Sequence, residues 1–392
     1  MSNVGYILSM KILYLCNKNY VDTKMSRVRF HAIEELSKLV YVKYWGIGYP
    51  GYDNSKTVQD NIDTLEYTFD IVISYKPLEM KEFKNVKIPK CIRYNEMFDL
   101  DHTRREIIES GANIVICHHL HEMKYYLSMP NVTFYYIPHC AHADIFKPIQ
   151  PPLEKTIDLL LIGSIWDRYP LRIRLAKILN TMSSKYKTGI YSHPGYEITQ
   201  ANNNAHQYDF AKTIQQAKIV LSCSGKYRSR YGKYVEVPRC GTAFAADIPD
   251  DDSRDFRKFI IELNLGMTDQ EIIDKLTFYL ENDEQRQKME QAGLKWSEKY
   301  TQQYYAQTLL NRLYQFLDKD PNLDPKIQSL WIGGELSNLE ILSMKSFLHN
   351  NHNYYLYAYE NIPNVPEGVI VKDANEILPK KEIFRYKNGS VS

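Results

Sequence analysis

Short apolar runs alternate with amphipathic stretches from the start of the chain. KILYLC (Lys11–Cys16) has the composition of a buried strand. VYVKYW, DIVISY, KCIRY, NIVIC and VTFYYIP follow it, with polar or helical connections between them. After the first run, Met25, Val28, Ala32, Ile33, Leu36 and Leu39 share one face at helical spacing, which predicts a helix over 25–39. FKPIQPP (Phe146–Pro152) reads as a linker. A second series then runs through IDLLLIG (Ile157–Gly163), YKTGIYS, KIVLSCS and TAFAAD, and helical periodicity from Asp269 to Leu317 closes it. DKDPNLDP (Asp318–Pro325) is a further linker by composition. Beyond it, IQSLWIG, a helix near Ser337–His349 and YYLYAYE make one more strand–helix–strand unit. Alternation of this kind predicts parallel α/β sheets. The expected organisation is two doubly wound, Rossmann-like halves, 1–148 and 149–318, with a linker and partial α/β fragment over 319–392.

Composition narrows the chemistry. With 392 residues, 44% of them hydrophobic, the chain can bury more than one core. Lys and Arg number 49 against 47 Asp and Glu, a net charge of +2. That balance excludes a general nucleic-acid-binding surface and confines any anion site to a local cluster. Cys16, Cys91, Cys117, Cys140, Cys223 and Cys240 are dispersed, mostly in or beside apolar runs. Such spacing fits reduced thiols in the cytoplasm better than a disulfide framework. The opening MSNVGYILSMKILYLC has no clear basic n-region or small-residue cleavage site, and no uninterrupted apolar run reaches membrane-spanning length.

One local cluster does concentrate charge. KIVLSCS ends near Ser224, so GKYRSRYGKY occupies the carboxyl rim of a sheet and enters a helix. Ligands of open α/β sheets bind at that rim, and a helix N-terminus there suits a phosphate. Arg228, Arg230 and Lys233 add full charges to the same place, and Glu236 follows Lys233 by one turn. A carboxylate so placed can accept two hydrogen bonds, as from a ribose diol. The helix ends at Gly241, a favourable residue just past a helix end. The charge pattern alone also fits a solvated Lys/Glu face.

VEVPRCGTAFAAD resembles the F-E-A-x-A-C-G-T-x-x-I-A motif of GT-B glycosyltransferases, particularly family 4 and the spore-maturation CgeB-type branch. IDLLLIGS with the later YPLR is similar to the opening of their donor domain, and YIPHCAHADIFKP (Tyr136–Pro148) to their interdomain segment. The resemblance covers roughly residues 10–318. It implies two domains facing a cleft, with the nucleotide-sugar donor in the second and a glycan or other hydroxyl acceptor in the first. The closing helices are expected to pack back on the first domain. By the same resemblance Glu236 holds the donor ribose, Arg230 and Lys233 reach the diphosphate, and Gly163 and Ser164 form the loop that approaches it. Arg172, Arg228, Tyr234 and His139 complete the expected donor set. No metal and no other cofactor is expected in this part, because side-chain cations serve the diphosphate. Three features depart from the family 4 pattern: Arg228 where an acidic residue is common, Pro238 inside the motif helix, and no glycine in NKNYVDTK. They fit the CgeB-type branch better and leave retention or inversion open.

On the acceptor side, RYNEMFDLDH follows the strand KCIRY and offers Glu96, Asp99 and His102 as catalytic candidates, Glu96 first. Asp99 serves equally well as a helix cap. Asn17, His118 and His119 end strands at the expected rim. CHHLH and His139-Cys140-Ala-His142 lack the paired spacing of a structural zinc site. The run Asp247–Asp255 reads as a solvated loop and helix start. Residues 327–378 resemble the opening of GT-A sugar transferases related to family 32. Those enzymes need an Asp-x-Asp motif further along, so the resemblance implies a truncated second domain of a longer polypeptide. A sugar-nucleotide epimerase on the same fold and a catalytically inactive nucleotide- or glycan-binding module are the rival functions.

Overall fold

The computed structural model describes residues 10–22, 27–94, 96–191, 200–251, 253–317, 327–349 and 354–383. Among them, the strands β1 (Lys11–Leu15), β2 (Tyr41–Trp45), β3 (Ile71–Ser74), β4 (Lys90–Tyr94), β5 (Ile114–Cys117) and β6 (Thr133–Tyr136) form one parallel sheet in the order β2-β1-β3-β4-β5-β6. A second parallel sheet is ordered β11-β10-β9-β7-β8, from β7 (Ile157–Ile162), β8 (Thr188–Tyr191), β9 (Ala217–Leu221), β10 (Ala243–Ala246) and β11 (Ile260–Glu262). The helices accompanying the first sheet are α1 (Lys18–Asp22), α2 (Arg27–Leu36), α3 (Val58–Ile62), α4 (Leu100–Ser110) and α5 (Leu120–Met123). Those of the second are α6 (Pro170–Met182), α7 (Gln200–Gln215), α8 (Lys233–Arg239), α9 (Ser253–Phe256), α10 (Asp269–Glu281) and α11 (Asp283–Ser297), while α12 (Gln302–Leu317) packs back on the first half, with Tyr305 beside Arg93 and His118.

Strands buried on both faces account for the continuous apolar runs. Leu13, Leu15, Val72, Ile92 and Val115 fill one core, and Leu159, Leu161, Ile219, Leu221 and Ala245 another. Each large aliphatic side chain so buried contributes roughly 1.5–3 kcal/mol. The helix expected over 25–39 is α2, with Ala32, Ile33 and Leu36 buried. Met25 and the side chain of Val28 lie outside the described residues, as does the linker Asp318–Pro325.

Helix ends follow local chemistry. Asp99 caps α4, and Gly111 ends it with φ +61°. Thr268 and Glu271 form a reciprocal capping box on α10. The long helical periodicity breaks at Asn282, whose backbone leaves the helical region and whose side chain accepts from the Gln285 amide to start α11. At the start of α12 the chain returns to the first half. The Ala141 amide donates to the Tyr300 carbonyl (3.0 Å), and the Gln302 amide (3.1 Å) and Nε2 (2.7 Å) donate to the carbonyls of Ala141 and Cys140.

Two compact units divide the chain at 310/311. Within the second, β12 (Ile327–Trp331), β13 (Tyr354–Ala358) and β14 (Ile370–Asp373) form a parallel sheet in that order, and helix α13 (Asn338–His349) lies between β12 and β13 in sequence. Its core comprises Leu336, Met344, Tyr354, Leu356, Ala358 and Ile362. The strands β11 and β14 go beyond the sequence expectation. β11 is too short to display a period, and every residue of β14 is exposed, so no buried face marks it.

Candidate active site

In the second sheet the strand order reverses between β7 and β9, so the loops after these strands lie side by side. The loop after β7 begins at Gly163, where φ is +97°. A Cβ there would stand 2.6 Å from Nη1 of Arg172, so both backbone and space require glycine. Arg172 itself is buried. It donates to the carbonyls of Ser164 (3.2 Å) and Cys223 (3.1 Å), and its guanidinium lies 4.0 Å from the Tyr169 ring centre. It therefore ties the two loops together from behind.

After β9 the chain passes Gly225 (φ +72°) and enters α8. Glu236 sits in the first turn of α8, its side chain 9% exposed, and Oε2 lies 2.9 Å from the Lys233 ammonium. Lys233 in turn lies 4.6 Å from the Phe210 ring centre. Pro238 is accommodated because α8 has only seven residues, and Gly241 (φ +66°) follows its end.

Three expected donor residues face elsewhere. Arg230 is fully buried, its guanidinium 4.2 Å from the Tyr300 ring centre and 5.0 Å from that of Trp296. It precedes α8, and its full burial with cation–π attraction to these rings argues against the expected diphosphate contact. Tyr234 is likewise fully buried, and its hydroxyl donates to the Asp247 carbonyl (2.7 Å). Arg228 adopts φ +51°, pairs with Asp250 and donates to the Ile248 carbonyl (2.8 Å). The run Asp247–Asp255 is accordingly not a simple solvated loop: Asp247 accepts from Ser224 and Tyr234, and Asp251 is buried.

On the first half, Glu96 lies 3.2 Å from Nη1 of Arg168, a residue of the second half. Beside them Phe98 stacks on Tyr227 at 4.1 Å with 9° between the planes, and the Arg168 guanidinium lies 4.6 Å from the Phe98 ring centre. Asp99 accepts from the His102 amide (3.0 Å) as the cap of α4, and the exposed His102 ring lies 3.9 Å from Glu106. Asn17 accepts from the Asn19 amide (3.0 Å), closing the turn into α1.

The strand-end histidines are enclosed. His118 is buried, with Nδ1 2.6 Å from the Ile137 carbonyl and Nε2 2.6 Å from Nε of Arg93. A neutral ring with the proton on Nδ1 satisfies both contacts. Burial, followed by the nearby Arg93 charge, pushes its pKa well below the ordinary value. Both ring nitrogens are thus committed to the protein, which argues against the expected substrate contact by His118. The His139 ring stacks on His118 at 4.5 Å and lies 5.3 Å from His119, which stands edge-on to Tyr231 at 5.8 Å.

Two neighbours bridge the halves: His121, read in the sequence only as part of CHHLH, and Glu122, which carried no sequence signal. The amides of Leu120 and His121 each donate to Asp251 at 3.0 Å, and the His121 ring contacts the same carboxylate at 3.3 Å. The buried Glu122 accepts from the Met97 amide and from Ser229 Oγ (2.9 Å). Burial raises the Glu122 pKa, against the pull of those two hydrogen bonds. A His-Glu pair after a strand carries no distinctive sequence signal, and only the fold supplies its partners. Among the described residues no group of three or more His, Cys, Asp or Glu side chains is arranged to hold a metal ion.

Residues 149–311 match a family model described as glycosyl transferase-like. No curated protein sequence matches the chain. Among solved structures, HepE from Anabaena in complex with UDP-glucose is similar over 78% of this chain and 99% of its own, with 9% identity and a TM-score of 0.55. Sucrose-phosphate synthase from Thermosynechococcus elongatus is similar over 79% and 99%, with 10% identity and a TM-score of 0.52. WaaG, a glycosyltransferase involved in lipopolysaccharide biosynthesis, is similar over 77% and 99%, with 10% identity and a TM-score of 0.52. The fold is GT-B, with two parallel, doubly wound sheets.

Proposed function

We propose that the chain transfers a sugar from a nucleotide-sugar donor to a hydroxyl of a glycan or other acceptor. The observation that carries this reading is the coincidence of the glycosyl transferase-like match with a buried carboxylate, Glu236, in the first turn of α8 beside Lys233 and close to the sheet rim. Glu236 accepts the ribose hydroxyls, and its pairing with Lys233 leaves a cation where the diphosphate arrives. Gly163 and Ser164 bring backbone to the same place, braced by Arg172. With Arg230 turned inward, Lys233 and loop amides carry the diphosphate contacts, and no metal is invoked. Glu96, next to the cleft-spanning Arg168, is the first candidate for the acceptor's base in an inverting reaction or for electrostatic support in a retaining one. Arg228 eight residues before Glu236 and the glycine-free loop after β1 favour the CgeB-type branch. Six separate, buried, free cysteines support a reducing, cytoplasmic setting.

The test is a panel of nucleotide sugars, beginning with UDP-glucose, read by thermal shift and calorimetry with and without EDTA. A specific donor stabilises the native state by mass action. Absence of binding by every member overturns the reading, and loss of binding in EDTA overturns its metal independence. Turnover of donor without an acceptor identifies an epimerase, and binding without turnover identifies a binding module.

The second unit we read as the opening of a GT-A-like domain, supported by its parallel β12-β13-β14 sheet with α13. Deleting the residues after Leu317 then leaves donor affinity unchanged. A folded, truncated chain that no longer binds the donor makes the tail part of the first site.

A further inference from the structure

Consecutive residues of one short helix in the first half grip two separate segments of the second. On the first-half side, His121 and Glu122 belong to α5, which follows the strand-end histidines. On the second-half side, Asp251 follows β10, and Tyr227 and Ser229 lie in the loop that leads into α8. The Asp251 carboxylate takes two amide hydrogen bonds at 3.0 Å and the His121 ring at 3.3 Å. The other nitrogen of that ring lies 2.9 Å from the Tyr227 carbonyl, and Ser229 Oγ donates to Glu122 at 2.9 Å. Every one of these contacts joins chain segments more than a hundred residues apart. Those to Tyr227 and Ser229 hold the loop that delivers Lys233 and Glu236, and the Asp251 segment is tied to the same loop by the Asp250 amide, which donates to the Arg228 carbonyl at 3.0 Å.

We propose that His121 and Glu122 are positioning residues for the donor, holding the 225–232 loop and Asp251 so that the first half sets donor affinity without touching the nucleotide. This rests on the reading that the nucleotide sugar binds at Glu236 and Lys233. The geometry makes the coupling specific. Removing the grip leaves both sheets and α8 intact but frees the loop between β9 and α8 to take other arrangements, only a fraction of which receive a ligand. Apparent affinity falls by that fraction.

The grip is also proton-linked. The titratable groups facing the His121 ring are Asp251 from the second half, Glu122 beside it on α5, and the His119 ring, whose centre lies 6.0 Å away. Burial alone would lower the His121 pKa. The hydrogen bond and charge of Asp251, joined by Glu122, outweigh it and raise the pKa above its ordinary 6.5. The Asp251 carboxyl is held low because the same contact outweighs its own burial. A raised histidine pKa in the joined arrangement favours joining when the ring is protonated. That contribution is complete below 6.5 and is lost as pH rises through the raised value. Donor affinity therefore declines with rising pH across this window.

The experiment uses the full chain and whichever of UDP-, ADP-, GDP- and dTDP-glucose most stabilises the wild type. Its dissociation constant is measured from pH 5.5 to 8.5 for wild type, His121→Gln, Asp251→Asn, Glu122→Gln, Glu122→Ala and Glu236→Ala. His121→Gln is expected to bind about fivefold more weakly than wild type near pH 6 and to converge with it at the alkaline end. Asp251→Asn should flatten the profile in the same way. Glu122→Ala should lose affinity and Glu122→Gln, which can still accept from Ser229, should regain most of it. Thermal unfolding of each variant identifies any that fail to fold, and the remaining pair partner then decides. Parallel pH profiles for wild type and both His121→Gln and Asp251→Asn, with Glu236→Ala still impaired, overturn this proposal alone. No binding of any probe to the wild type removes the donor site and this proposal with it.

Discussion

Residues that one short motif groups together in the second half remain neighbours in space, whereas the first half assembles its side of the cleft from separate strand ends. Lys233 and Glu236 form an ion pair within one turn of α8, and Gly163 meets Arg172 across a loop. In the first half Glu96 follows β4, His118 and His119 follow β5, and His139 follows β6. Only the parallel sheet brings these positions together. Proximity in sequence, though, does not fix direction. Arg230 and Lys233 are three residues apart, yet one lies under Tyr300 and Trp296 while the other pairs with Glu236. The difference is that Arg230 lies in a loop before the helix and Lys233 lies on the helix. Charge type suggested one role for both, and backbone position separates them.

Arg230→Ala sharpens that separation and carries the largest expected effect. Removing a fully buried side chain of this volume leaves a cavity and ends its cation–π contacts, at a cost of about 3 kcal/mol in unfolding free energy. Thermal or denaturant unfolding measures it. Donor affinity of the remaining folded protein falls only about fivefold, because Arg230 also anchors the 225–232 loop. A variant with unchanged unfolding but strongly weakened nucleotide binding returns Arg230 to the diphosphate.

Glu236→Ala has the next largest effect, on binding rather than stability. Charge-assisted hydrogen bonds to a ribose diol contribute about 1.5–3 kcal/mol, so the donor dissociation constant rises by roughly 10- to 150-fold. Calorimetry on the folded variant checks it. An unchanged constant makes the Lys233–Glu236 pair a purely structural ion pair and removes the motif's functional meaning here.

The same contrast explains what the sequence disclosed. Six strands of the first sheet and four of the second were legible. The central ones are apolar runs because they are buried on both faces, whereas the edge strands β2, β6 and β8 are only partly buried and show through their aromatic and β-branched residues. Gly163 was singled out by the resemblance, and its φ of +97° with the Arg172 guanidinium 2.6 Å from where a Cβ would stand gives the backbone reason for glycine at that position. His121, Glu122 and Asp251 were not legible, because their meaning lies in bonds between segments more than a hundred residues apart. Asp251 was even misleading, since an acidic run reads as solvated until a partner buries it. His118 shows the complementary error. Its place at a strand end drew attention to substrate, while Ile137 and Arg93 occupy both of its nitrogens.

Asp99 gives the smallest effect and tests whether the first half has a catalytic centre at Glu96 or one residue cluster further along. Its backbone has the extended conformation of a cap, and its side chain accepts from the His102 amide at 3.0 Å. Asp99→Ala therefore lowers the unfolding free energy by about 1 kcal/mol through the exposed first turn of α4. Asp99→Asn keeps a capping oxygen and should restore most of that stability, because asparagine caps about as well as aspartate. Neither change should alter donor affinity, since the segment lies in the half assigned to the acceptor. The decisive comparison is turnover in Asp99→Asn, which preserves the cap but removes the carboxylate. Retained turnover leaves Glu96 as the first half's carboxylate. Loss of turnover in a stably folded Asp99→Asn moves the chemistry to Asp99 and makes the Glu96–Arg168 contact a hinge between the halves instead.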